Sequence, residues 1–461
     1  MKRILLISMF LALLGSSCMN TGEGELLGVM DREVWYEPDP FGMLFIPMGS
    51  FNMGPNDQDV PWAMTAQAKT VSIQAFWMDE TEITNNEYRQ FVYWVRDSIA
   101  REKLSAQIDE FHITEDFYGD PLSPHFLDWK KEIFWDDDEQ RPLLADMFYP
   151  EQERFYRRQE FDVRKYNFVY FWIDLKQAAQ KFTFDNESRR RWNATENKYD
   201  GEVIKEDGQK VPVTDRSSFI MKDIINVYPD TLCWISDFTY SYNEPMTNMY
   251  FWHPAYDHYP VVGISWKQAR AFCIWRTQLK NAFLNGNDET FVQDYRLPTE
   301  SEWEYASRGG LNLSMYPWGG LYTRNYTGCF IANFKPLRGN YVDDGGIQTL
   351  IVASYEPNEF GLYDMAGNVA EWTNNAFDES AYSYTHDLNP DYQYNSLPDD
   401  PPALKRKVIR GGSWKDISYY LQTGTRTYEY QDTAKSYIGF RCVRSFLGRS
   451  RDDGGSYSKV Y

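Results

Sequence analysis

A chain of 461 residues, 17% aromatic and 25% charged, is long enough to bury a large core, as one big domain or two ordinary ones. Its formal net charge of −20 argues against a nucleic-acid partner, whose phosphates attract cations, and against charge-driven docking on an anionic membrane surface. The 34 tyrosines, 29 phenylalanines and 16 tryptophans suit a loop-heavy fold packed by rings, many with a polar tip that needs a partner.

The first element is an address. Lys2 and Arg3 precede an apolar run from Ile4 to Leu14, followed by small residues and Cys18. A basic end, a short apolar stretch and a small-residue cleavage site make a secretory signal. With Cys18 directly after the small residues it reads as the lipoprotein variant. Residues 1–17 are then removed and a lipidated Cys18 becomes the mature N-terminus, holding a folded domain on a membrane rather than in it. A plain signal with an incidental cysteine is the alternative. The apolar run is too short to span a bilayer, and no later segment has the roughly 18 uncharged apolar residues that a span needs. Residues 18–40 read as a polar tether and 448–461 as a polar C-terminal tail.

The folded part spans 41–447. GMLFIPMGSFNMG is β-rich and broken by glycines, a hairpin-like signal, and VSIQAFWMDETEIT continues in strand style. Thr84 caps a helix, with Glu87 closing the capping box and Tyr88, Phe91, Val92 and Val95 on one face. From about 97 to 250 charged clusters alternate with aromatics. This reads as a long insertion with a few helices and a hairpin near VIKEDGQKVPV, able to form a subdomain whose removal spares the rest. A short buried strand in YPVVGIS then leads into an amphipathic helix carrying Ala269, Phe272, Cys273 and Arg276. Thr299 caps the next helix, with Glu302 closing the box and Gly309 stopping it. Beyond it the chain reads mostly as loops. Four cysteines remain (Cys233, Cys273, Cys329, Cys442), with neither CxxC nor zinc spacing. The five histidines, His112, His125, His253, His258 and His386, lack the helical spacing of a metal site and read as solvated or hydrogen-bonding.

The stretch GGSWKDISYYLQTGTR, Gly411 to Arg426, looks like the floor of a ligand site yet contains no cysteine, histidine or lysine–serine pair. Around it, HPAYDHYPVVGISWKQARAFCIW, RLPTESEWEYASRGG, YPWGG, ANFKP, PNEFGLYDMAGNVAEW, RGGSW and IGFRCVR occur in order over about 41–95 and 250–447. These blocks resemble the formylglycine-generating enzyme, or sulfatase-modifying factor, family. The resemblance implies an α+β fold related to the C-type lectins, with sparse secondary structure, here carrying the long insertion. In the enzymes of that family, two cysteines just after GGS bind copper and oxidise a substrate cysteine to formylglycine. This chain has no cysteine between Gly411 and Arg441, and the first position falls on Asp416. A thiolate is the metal ligand and the nucleophile, so neither copper nor that chemistry is expected, and the chain reads as a non-enzyme. The resemblance also implies structural calcium. One site maps onto Asp364, the carbonyls of Gly367 and Val369, and Glu371. The other maps onto Asn333, the carbonyl of Phe334, Asp344 and the carbonyl of Gly346. The bland alternative is that these side chains accept backbone hydrogen bonds in tight loops. It further implies a Cys273–Cys442 disulfide, against the alternative of two buried thiols. Arg410, Arg426 and Arg441 read as buried arginines paired with carboxylates.

The lipoprotein signal, the stretch from GMLFIPMGSFNMG to NNEYRQFVYWVRDSI, and TLCWISDFTYSYNEPMTNMYFWHPAYDHYPVVGISW together resemble the GldK/PorK-type lipoproteins over nearly the whole mature chain. The resemblance implies a structural part of the type IX secretion system, lipid-anchored to the periplasmic face of the outer membrane. Such a protein self-associates into a periplasmic ring with a GldN/PorN-type partner and supports secretion and gliding motility. GldJ-type lipoproteins, or an enzyme of the same fold with different chemistry, are the alternatives. Aromatic residues and arginine favour interface centres, and the insertion, with FYRRQEF and KYNFVYFWID, has that composition; an ordinary subdomain core is the competing reading.

Overall fold

The computed structural model describes residues 36–55, 68–115, 119–179, 192–193, 198–199, 201–241, 244–287, 289–337 and 346–448. Cys18, with its signal segment, and Asp344 lie outside them. One compact unit runs from Pro40 to Phe446; the other joins the two chain ends, where the Leu447 amide donates to Glu37 at 2.8 Å. Among the described residues no helix is long and apolar enough to cross a membrane.

Strands β1 (Met43–Ile46), β2 (Gly49–Met53), β3 (Lys69–Ile73) and β4 (Phe76–Asp79) open the larger unit. The hairpin expected from GMLFIPMGSFNMG does not form between its own halves. β1 pairs with β4 (Met43 opposite Asp79) and β2 with β3 (Gly49 opposite Ile73). Helix α1 (Asn85–Ser105) starts at the expected capping box, where Thr84 accepts from the Glu87 amide and the Glu87 carboxylate accepts from the Thr84 amide. Tyr88, Phe91, Val92 and Val95 are buried as the spacing requires.

Two strands of the long middle segment, β5 (Asn167–Ile173) and β6 (Ile220–Asn226), pair antiparallel along their whole length. The hairpin near VIKEDGQKVPV is present, with Glu202–Ile204 paired to Lys210–Pro212. Helix α2 (Trp266–Gly286) follows a Ser265/Gln268 capping box, and Cys273 lies on its buried face. YPVVGIS is not a strand. Val261, Val262 and Ile264 are buried, but the segment makes only an isolated bridge from Pro260 to Thr84. A two-residue strand β7 (Tyr295–Arg296) then leads into α3 (Glu300–Arg308), capped by Thr299 and ended by Gly309 at φ 57.

The C-terminal part holds more sheet than its loops suggest. β8 (Ala370–Ala376), β9 (Arg406–Arg410), β10 (Thr427–Tyr430) and β11 (Ile438–Gly439) form a sheet in the order β10-β9-β8-β11, and β12 (Val443–Ser445) joins the other sheet as β1-β4-β12-β7. β8 carries glutamate and asparagine between buried positions, which hides it from a hydrophobic-pattern reading.

The middle segment is not a separable subdomain. Leu104, Phe111, Met147, Phe168 and Tyr170 lie in the same core cluster as Phe272, Trp275 and Phe440. Phe91 sits edge-on to Phe168 at 5.3 Å and to Phe272 at 5.8 Å, tying the segment to α1 and α2. Excising 97–250 would strip one side of this core. The opposite face of the β5–β6 ribbon is exposed and mostly apolar, with Val169, Phe171 and Ile173 alternating with buried Phe168 and Tyr170, Ile220 and Ile224 across the register, and Lys222 opposite Phe171.

Candidate functional site

The loop after β9 begins with two glycines that no other residue suits. Gly411 (φ 90) and Gly412 (φ 67) are left-handed. A Cβ on Gly411 would lie 3.2 Å from the Trp303 ring, and one on Gly412 would lie 2.8 Å from the Tyr420 carbonyl. The turn places buried Ser413 so that its hydroxyl donates to Asp416 at 2.6 Å. Burial pushes the Asp416 carboxyl up while that hydrogen bond pulls it back. The position where the resemblance implies a copper-binding thiol is thus a carboxylate closed onto a serine of its own turn.

Cys233 packs in the cluster that includes Trp414. Burial, then Asp230 and Asp237, push its thiol well up, away from the thiolate that metal binding and nucleophilic attack require.

Beneath the loop lies a layer of buried charge. Arg410 donates to Glu300 (2.7 Å), to Glu304 (2.8 Å) and to the Thr423 and Thr425 carbonyls. Arg426 donates to both Glu300 oxygens (2.5 and 3.0 Å), and Arg308 donates to Glu304 at 2.6 Å. Each carboxylate meets two guanidinium groups, an arrangement that holds buried ions because every charge is paired. It fastens α3 under β9 and so sets the height of the loop. Arg441 likewise grips Glu371 through two nitrogens (2.6–2.9 Å) while Trp303 donates to Glu371 at 2.7 Å. All three arginines are carboxylate-paired as their sequence context indicated; Arg410 and Arg441 are buried and Arg426 is partly exposed.

Of the residues expected at the two calcium sites, the Asp364–Glu371 loop and Asn333 come together, although the carboxylates do not all stay free, and Asp344 lies outside the described residues. Gly367 (φ 85) lets the Asp364–Glu371 loop approach Asn333, where a Cβ would lie 2.4 Å from the Asn333 carbonyl, and its amide donates to the Gly411 carbonyl at 3.0 Å. Asn333 and Phe334 are buried, and Gly346 is partly buried. Asp364, left-handed at φ 55, accepts from the Ala353 amide at 2.6 Å. Burial first, then Glu371, push its carboxyl up to about 6, against the pull of the Ala353 amide and Arg441. The Val369 amide donates to a buried carboxylate that sequence reasoning missed, Glu82, which also accepts from Asn368 (2.8 Å). Burial, Asp364 and Glu371 raise Glu82 strongly.

The chemistry of this donor set fits calcium in part. Three carboxylates face one arginine, and the side-chain oxygen of Asn333 is buried without a hydrogen-bond partner. Against that, both oxygens of Glu371 are engaged, and among the described residues no three His, Cys, Asp or Glu side chains converge at metal-binding spacing. A cation here would rest mainly on amide and backbone oxygens.

Cys273 and Cys442 are brought together. Their sulfurs lie 3.5 Å apart, both buried, as a pair of thiols rather than at the ~2.05 Å of a disulfide. Glu82, Asn368 and the Glu300–Glu304–Arg308 set were not singled out as site residues in the sequence. The one available signal, for Glu82 and Glu300, was an acidic residue beside the capping residues Thr84 and Thr299.

Residues 36–142 and 163–446 match the family described as sulfatase-modifying factor enzyme 1-like domain. Among curated relatives, the chain is 34% identical over 40% of its length to an inactive Cα-formylglycine-generating enzyme 2 of Bos taurus, covering 50% of that protein. It is 32% identical over 41% of its length to a formylglycine-generating enzyme of Bos taurus, covering 45% of that protein. The chain thus spans about half the length of the curated relatives it matches. Among solved structures, PvdO from Pseudomonas aeruginosa superposes with a TM-score of 0.43 at 15% identity, over 88% of this chain and 94% of that one.

Proposed function

This chain belongs to the sulfatase-modifying factor enzyme 1-like domain family, and from that premise we propose that it is a non-catalytic structural lipoprotein of the type IX secretion system. In this reading it is anchored through Cys18 to the periplasmic face of the outer membrane and assembles into a ring with a GldN/PorN-type partner, supporting secretion and gliding.

The observation that carries the non-catalytic part is the loop itself. It keeps its two left-handed glycines and its charged floor, yet has Asp416 bonded to Ser413 where the enzymes place a reactive sulfur. The similarity to a relative whose name calls it inactive is in keeping with this reading. The assembly part is supported by the β5–β6 ribbon, whose exposed face carries Phe171, Ile173 and Ile224 at 53%, 61% and 56% exposure, apolar surface of the kind that marks interaction sites. We further propose a structural calcium ion at the Asp364–Glu371 loop, resting on the carbonyls of Gly367 and Val369 and the unpartnered side-chain oxygen of Asn333, with Asp364 as its carboxylate. When bound, it would offset the excess negative charge of that pocket.

Extraction of the full-length protein from native membranes followed by imaging tests the reading. Ring-sized particles containing a second protein are expected. The pair Phe171→Ser and Ile173→Thr should abolish them with less than about 0.5 kcal/mol change in stability, since exposed positions contribute little to folding. Monomers from the native extract, or conversion of a cysteine peptide to an aldehyde, would overturn it.

A further inference from the structure

The loop after β9 is covered by the chain itself. Segment 230–238 reaches it from outside that sheet and touches it at two points, with a third contact to Ser436 beside it. Trp234, 2% exposed, stacks on Trp414 with centroids 5.8 Å apart and planes 20° apart. Asp237 ion-pairs with Lys415 through one oxygen, and accepts the Ser436 hydroxyl through the other. Ser436 closes the circuit, because its carbonyl accepts from the Trp414 indole at 3.2 Å.

The near end of the segment is pinned separately. The Asp230 amide donates to the Gly263 carbonyl at 2.7 Å. Gly263 is left-handed at φ 73, and a Cβ there would lie 2.4 Å from the Asp230 carbonyl and 3.1 Å from the Cys233 sulfur.

We infer that the loop Gly411–Arg426 is a socket whose ligand is this protein's own segment 230–238, held by an aromatic and, three residues later, a carboxylate. The two halves are complementary in kind. Trp414 and Lys415 are neighbours in the loop, and Trp234 and Asp237 sit one helical turn apart, so that ring meets ring while acid meets amine. The inference goes beyond the assembly reading and does not depend on it. It explains why a loop built like a reactive site is retained without a reagent: it latches the middle segment onto the C-terminal sheet. It also fits the partial burial of Cys233, next to Trp234, against the exposure of Cys329.

The four described cysteines make the test internal. The full chain is treated with iodoacetamide under native conditions, and each cysteine is followed by mass spectrometry, in wild type, in Trp234→Leu, and in the double variant Asp237→Asn, Lys415→Gln. Loss of the stack or the ion pair should speed alkylation of Cys233 about tenfold through local opening. Cys329 should react alike in all three proteins, and Cys273 and Cys442 should stay protected. Unchanged Cys233 in both variants would overturn the socket. So would simultaneous reaction of Cys273 and Cys442, because the segment would then be ordinary core rather than a separable occupant. Particle size measured on the same variants reports on assembly independently.

Discussion

The floor under the glycine loop and the β5–β6 ribbon handle polarity in opposite ways. The floor buries four charged side chains (Glu300, Glu304, Arg308 and Arg410) and closes over them with Arg426, paired so that none is left alone. The ribbon buries aromatics on one face and leaves Val169, Phe171, Ile173, Ile220 and Ile224 exposed on the other. Buried paired charge adds little net stability but penalises every alternative packing that separates a pair. Exposed apolar surface costs little in the monomer and becomes favourable once covered. One region therefore specifies a shape and the other offers a contact.

The largest expected effect breaks the first region. Arg410→Ala leaves Glu300 and Glu304 short of a counter-charge, and denaturant unfolding should show a loss of about 3–5 kcal/mol. Against the sub-kilocalorie change expected for Phe171→Ser with Ile173→Thr, this is the sharpest form of the comparison. Equal costs in the two regions would erase it.

Lys407, on β9, gives a smaller effect with a definite sign. Burial first, then Arg270 and Lys176, push its amine down to about 7; it donates to the Tyr394 carbonyl at 2.9 Å and lies 4.0 Å from the Trp266 ring. An unfolded lysine titrates near ~10.4. From pH 7 upward the unfolded chain therefore holds more protons than the folded one, and stability should rise with pH by about 1 kcal/mol per unit. Lys407→Met should remove that rise between pH 7 and 9 in thermal melts; an unchanged slope would assign it to other groups.

The smallest effect concerns the acidic pocket. Asp364→Asn removes a charge beside Glu82 and Glu371, and in chelator should raise stability by about 1 kcal/mol. Calcium should raise the Tm of the wild type and leave the variant unmoved. A wild type indifferent to calcium would leave these oxygens as loop fasteners only.

Much of the local structure was legible in the sequence. Thr84 with Glu87 and Thr299 with Glu302 announced two helix starts because a capping box is a four-residue interaction. Gly309 announced a stop for the same local reason. The pairing of β1 with β4, and the sheet built from β8, β9 and β10, were not legible, because each partner is chosen by burial across long loops. The same holds for Glu82, whose role depends on Asn368 and Asp364, more than 280 residues away.

What the sequence by itself determined is chemical. It holds no sulfur between Gly411 and Arg441, and it places glycines where only glycine fits. What the tertiary structure decided is placement: which arginine meets which glutamate, that Trp234 and Asp237 close over Trp414 and Lys415, and that the middle segment shares one core with α1 and α2. The reason is physical. Composition and caps act within a few residues, whereas burial, charge pairing and ring stacking are satisfied only when distant parts of the chain are already side by side.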